Sequence, residues 1–140
     1  MLPKTSVMKA LLALLVLGAI YWFGLRTDPA VDALNQALQQ HASRAFLAYP
    51  YQFRVVQLKE GVATISSPRS AEMPVYRMIG AIDSSLAGKD ATDPDFIAAQ
   101  KQLATMQGEA RQIVIGQPGV TGVKWELDKN WLSERGILLD

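Results

Sequence analysis

The chain has 140 residues, 49% of them hydrophobic and 19% charged, which as a prior means one compact domain plus whatever the termini add. It has no cysteine, so disulfides, thiolate nucleophiles, iron–sulfur clusters, cysteine zinc sites and a lipoprotein anchor are all excluded. The first 26 residues hold three of the 14 basic side chains and no acid, leaving 11 basic against 13 acidic in residues 27–140, and this near-neutral remainder has no electrostatic footprint for nucleic acid.

The first element is a hydrophobic segment. Ala10 to Leu25 reads ALLALLVLGAIYWFGL, without a charge, and Val7 and Met8 extend it if Lys9 snorkels. Val7–Leu25 as a helix spans roughly 28 Å, close to a bilayer core. Lys4 and Lys9 precede it, and Arg26 is nearly offset by Asp28. The positive-inside rule therefore puts the amino end in the cytoplasm and residues 27–140 outside. Tyr21, Trp22 and Phe23 fall at the outer end, where an aromatic belt belongs. The membrane-interface residues are thus Lys4, Lys9, Tyr21, Trp22, Phe23 and Arg26.

The rival reading is a cleaved secretory signal, which needs small residues at −3 and −1 after the apolar core. Ala30 has Asp28 at its −3 position and Ala33 has Val31 next but one behind it, so neither makes a good site. An uncleaved signal anchor is the expectation, dividing the chain into 1–26 (tip and anchor) and 27–140 (a domain outside the cytoplasm). Gly18 and Ala19 are followed four residues later by Trp22 and Phe23, so no small-residue pair encodes tight helix dimerisation.

Asp28-Pro29 is a helix start, since Asp can cap and Pro suits the first helical position. Val31, Leu34, Leu38, His41, Ala45 and Tyr49 recur at helical spacing, predicting a helix to about Ala48, with Pro50 as its stop. Tyr51–Ser67, YQFRVVQLKEGVATISS, predicts a β-hairpin turning at Glu60-Gly61, with one face wet. Pro74 opens a second helix through Val75, Ile79, Ile82 and Leu86, ended by Gly88. Thr92-Asp93-Pro94-Asp95 starts a third, with the most regular stripe in the chain: Phe96, Ala99, Leu103, Met106, Ala110 and Ile113. Gly116–Gly119 breaks it, Val120–Asp128 is a final strand with Val123, Trp125 and Leu127 facing one way, and residues 130–140 are a tail that Trp131 and Leu132 dock. The fold class is α+β: a transmembrane helix, then a two-layer domain of helix, β-hairpin, two helices and final strand.

Candidate sites are weak. His41 is the only histidine, and with no Cys or second His it completes neither a metal site nor a catalytic triad; a packed or rim histidine is the expectation. Asp90, Asp93 and Asp95 lack the EF-hand spacing and read as acids gathered at a helix start. GQPGVTGVK has neither the Walker order nor a following helix, so it is a turn. Glu60, Glu72, Glu109 and Glu126 are scattered, without an apolar context that would raise a pKa. No catalytic residue, metal or cofactor is expected.

Two stretches, FRVVQLKEGVATIS and ARQIVIGQPGVTGVKWELD, together resemble the BON domain, a module of bacterial periplasms and envelopes. The first resembles its hydrophobic strand, Gly turn and second strand; the second is similar to its Ala-rich helix, Pro-Gly-Val turn and Val-containing strand. The resemblance covers roughly residues 31–128. The chain departs from it at Ser66-Ser67-Pro68, where the family runs into a Gly, and by an extra segment from about Glu72 to Phe96. It implies a bacterial inner-membrane protein with a periplasmic domain that binds a partner protein or the membrane surface without catalysis. An accessory subunit of a larger membrane complex is the alternative, and a membrane-anchored hydrolase using scattered carboxylates a further one.

Overall fold

The computed structural model describes residues 3–24, 28–70 and 73–138; Arg26, Glu72 and the side chain of Phe23 lie outside the described residues. Helix α1, Lys4–Gly24, has 21 residues, about 31 Å at the helical rise. Its stretch Lys4–Trp22 is long and apolar enough to cross a membrane, and none of it is buried.

The domain begins at α2, Pro29–His41, where the Asp28 side chain accepts a hydrogen bond from the Ala30 amide and Pro29 takes the first position. Leu34, Ala37 and Leu38 are its buried stripe. The expected continuation to Ala48 is not observed. The chain turns extended at Ala42 and Ser43 and restarts as one short helix, α3, Arg44–Leu47. Ser43 Oγ accepts from the Phe46 amide, capping the new turn. The Ser43 amide and hydroxyl donate to the two carboxylate oxygens of Glu109, at 3.1 and 3.0 Å. The break therefore has a tertiary cause that helical spacing does not contain. It leaves His41 exposed at the end of α2 rather than on its packed side.

Strands β1, Val55–Lys59, and β2, Val62–Ser67, form the expected hairpin. Glu60 and Gly61 both have positive φ, 52° and 79°, as a tight two-residue turn between paired strands demands. A Cβ on Gly61 would also stand 2.7 Å from Thr121 Oγ1, so conformation and space both require glycine there. The register slips between Val55 and Gln57. This bulge moves the inward position from Val55 to Leu58, which is why strict alternation fails along β1.

Helix α4, Val75–Ile82, ends sooner than its apolar spacing suggests. Asp83 turns extended and caps a 3₁₀ turn, Ser84–Leu86, through the Ser85 amide, although Leu86 is still buried. Helix α5, Pro94–Ile115, carries the predicted stripe, with Phe96, Leu103, Met106, Ala110 and Val114 buried. Strand β3, Gly122–Leu127, pairs parallel to β2, giving the sheet order β1-β2-β3. The tail is a helix, α6, Lys129–Glu134, opened by the Asp128 side chain and closed by Gly136 at φ 77°. Leu132 is fully buried beneath it.

Helices α2 and α5 pack together on one face of the sheet. That face carries Val55, Ala63 and Ile65, and Gln107 of α5 reaches the hydroxyl of Ser67. Phe53 sits at the centre of an aromatic cluster, with the rings of Phe46, Tyr49, Tyr51 and Trp125 between 4.9 and 6.2 Å away. The opposite face bears Lys124 and Glu126 beside Thr64 and Ser66.

Candidate functional site

The polar constellation that the fold assembles lies where β3 meets α6, and Asp128 is its hub. Its backbone amide closes the sheet by donating to the Ser67 carbonyl at 2.8 Å. One carboxylate oxygen caps α6 through the Trp131 amide. The other accepts from the Tyr51 hydroxyl at 3.0 Å and stands 3.9 Å from an Arg54 guanidinium nitrogen. The Asp128 side chain is 8% exposed, so its charge is dispersed over bonds rather than presented to solvent.

Tyr51 is 1% exposed. Burial pushes its phenol well above the ordinary value of 10.0; the Ser66 hydroxyl opposes the shift, and the Asp128 charge adds to it. Burial likewise pushes Tyr49 up to about 12. Both phenols stay protonated in neutral solution, and Tyr51 serves as a donor that fixes Asp128. Trp131 packs edge-on against Tyr51 at 5.1 Å, and the Arg135 guanidinium covers its ring at 3.8 Å. Beside this cluster, Arg54, Val56, Ser66, Glu126, Lys129 and Asn130 line a shallow depression of about 570 Å³. Its charges are of both signs, which suits a polar surface of a protein better than a uniformly charged ligand.

A second, more apolar cleft of about 300 Å³ lies between Tyr49, Pro50, Ile79, Ile82 and Ala99, with Asp83 and Gln102 at its rim. It falls at the low end of small-molecule sites. Its walls are aliphatic and aromatic, with one carboxylate and one amide for orientation.

The residues singled out in the sequence are not brought together. Lys4, Lys9, Tyr21 and Trp22 are exposed along α1. Asp93 caps α5 through the Asp95 amide, and Lys89 lies 3.9 and 3.4 Å from Asp93 and Asp95. Asp90 closes its own turn onto Thr92, whose backbone and side-chain hydrogen bonds hold that carboxyl below the usual range. These acids therefore act as helix-start and turn elements. Among the described residues, no group of three His, Asp or Glu could hold a metal ion. Glu60 is in the hairpin turn, Glu109 clamps Ser43, and Glu126 is exposed on β3.

Sequence reasoning missed the Tyr51–Asp128–Arg54 cluster, whose members lie up to 77 residues apart. One local signal was available: Asp128 eight residues before Gly136 brackets a short helix, with Asp suited to its start and Gly to its end. Compared with protein-family models, curated proteins and solved structures, the chain matches none of them.

Proposed function

We propose that this is a single-pass membrane protein whose domain works as a non-catalytic binding module held close to the bilayer. One observation carries the reading: α1 presents an apolar surface of membrane-spanning length that the domain does not cover at all. In water, such a surface would expose many large aliphatic side chains at about 25 cal/mol per Å², whereas a bilayer removes that penalty. Lys4 and Lys9 before the span support an amino end in the cytoplasm, and the BON-like residue pattern supports a bacterial envelope setting with the domain in the periplasm.

The polar groups of the domain support binding over turnover. Asp128, Tyr51 and Glu109 are each engaged in holding elements together. The test is fractionation of cells making the full chain. It should remain with membranes through an alkaline wash, and Leu14→Arg with Leu15→Arg should release it. Release of the unaltered chain would refute the anchor.

A further inference from the structure

We propose that two copies of this chain pair through β3, antiparallel about a twofold axis at Trp125, to make a continuous six-stranded sheet.

The sheet has unequal edges. On the β1 side, Asn35 of α2 bonds both the amide and the carbonyl of Val55, at 2.7 and 2.9 Å, so that edge is capped by a side chain at its first residue. On the β3 side no other described strand follows. The Gly122 and Asp128 amides donate inward to β2, at Gly61 and Ser67. In a parallel ladder the inward residues alternate, which turns the amides and carbonyls of Val123, Trp125 and Leu127 outward. An edge of this kind is a template for another strand.

The side chains name the strand that fits. The sequence from 123 to 127 is Val-Lys-Trp-Glu-Leu, which is self-complementary about its centre. With Trp125 opposite Trp125 of the second copy, Val123 meets Leu127, and Lys124 meets Glu126, twice. Trp125 and its mate form the hydrogen-bonded pair. Lys124 and Glu126 then fall in the adjacent non-hydrogen-bonded pair, where side chains approach most closely. Sliding the axis to Lys124 or to Glu126 sets like charges directly opposite, so the charges select one register. A lone Lys on an edge strand discourages pairing; a Lys and a Glu symmetrically placed about a Trp favour pairing with the same strand.

Two further observations agree. The side chains of Lys124 and Glu126 are exposed and make no ion pair or hydrogen bond with another described residue. Trp125 is 37% exposed although its ring packs against Phe53, and a second Trp125 would cover part of that open surface. A twofold axis also places both amino-terminal anchors at equal height along it, as two anchors in one bilayer require; only this last point rests on the single-pass reading.

The test uses the full chain in mild detergent. Light scattering should give twice the protomer mass. Lys124→Glu and Glu126→Lys should each weaken the dimer on the order of tenfold, since two attractive cross-strand pairs become repulsive, and the double exchange should restore it. Because the protein has no cysteine, Lys124→Cys combined with Glu126→Cys should close a disulfide-linked dimer on mild oxidation, at the roughly 4.5 Å Cα separation of such a pair. Neither single cysteine variant should close efficiently. A monomer at every concentration, a dimer indifferent to the charge exchanges, or a cysteine pair that fails to link would each overturn the proposal. Membrane fractionation is unaffected by any of these outcomes, so the anchor reading stands or falls separately.

Discussion

Raising the pH should unfold the domain through Tyr49 and Tyr51, and the size of the effect follows from their burial. In the unfolded chain a tyrosine loses its proton near 10. In the folded domain Tyr49 holds its proton to about 12, and Tyr51 is raised as well. Above pH 10 the unfolded state therefore binds fewer protons than the folded state, so stability is intact below pH 10 and falls as pH rises through the window up to the folded values. Each such phenol removes up to about 1.4 kcal/mol per pH unit. Over two units this is roughly 3 kcal/mol for Tyr49 and a similar amount for Tyr51, a large share of the 5–15 kcal/mol typical of a domain. The assay is denaturant unfolding of the full chain in detergent from pH 8 to 12, followed by tryptophan fluorescence, with Trp131 packed against Tyr51 as reporter. Tyr51→Phe should start lower at pH 8, by about 1–3 kcal/mol for the lost bond to a carboxylate, yet fall less steeply above pH 10. Equal slopes for Tyr51→Phe and the unaltered chain would refute the reasoning.

Other substitutions probe single contacts. Glu109→Ala removes the two bonds from Ser43 and should destabilise by about 1–2 kcal/mol; a double-mutant cycle with Ser43→Ala, which by itself also loses the cap on the Phe46 amide, should show coupling from the shared hydroxyl–carboxylate bond, and full additivity would count against the clamp. Gly61→Ala forces a Cβ into a positive-φ position against Thr121 and should lose at least about 1 kcal/mol, whereas an unchanged denaturation midpoint would show that the turn relaxes freely. Thr64, 4% exposed, keeps its buried hydroxyl without a hydrogen-bond partner among the described residues. Thr64→Val keeps the branched shape and should stabilise by about 1 kcal/mol; a loss of that size would mean the hydroxyl is satisfied.

The elements governed by local chemistry were legible in the sequence. Asp93-Pro94 marks the start of α5 and its stripe marks the buried face, because capping and helical periodicity act within a few residues. Glu60-Gly61 marks the hairpin because only a tight turn joins paired strands so closely. The break at Ser43 was not legible, since its cause, Glu109, lies 66 residues away. The bulge in β1 hid Leu58 from the period-two pattern. The candidate site was the least legible part. Asp128 reads locally as a helix cap, and it becomes a hub only when the hairpin delivers Tyr51 and Arg54 to it. Lys124 and Glu126 look like ordinary exposed charges until the parallel pairing puts β3 at the sheet edge.

The anchored domain is the central claim, and protease accessibility combined with intact mass tests it most directly. In cells with the outer membrane opened, a carboxy-terminal tag should be digested while a tag before Lys4 is protected, and the undigested chain recovered from membranes should keep its full mass. A protected carboxy-terminal tag, or a chain shortened by the length of α1, would contradict it.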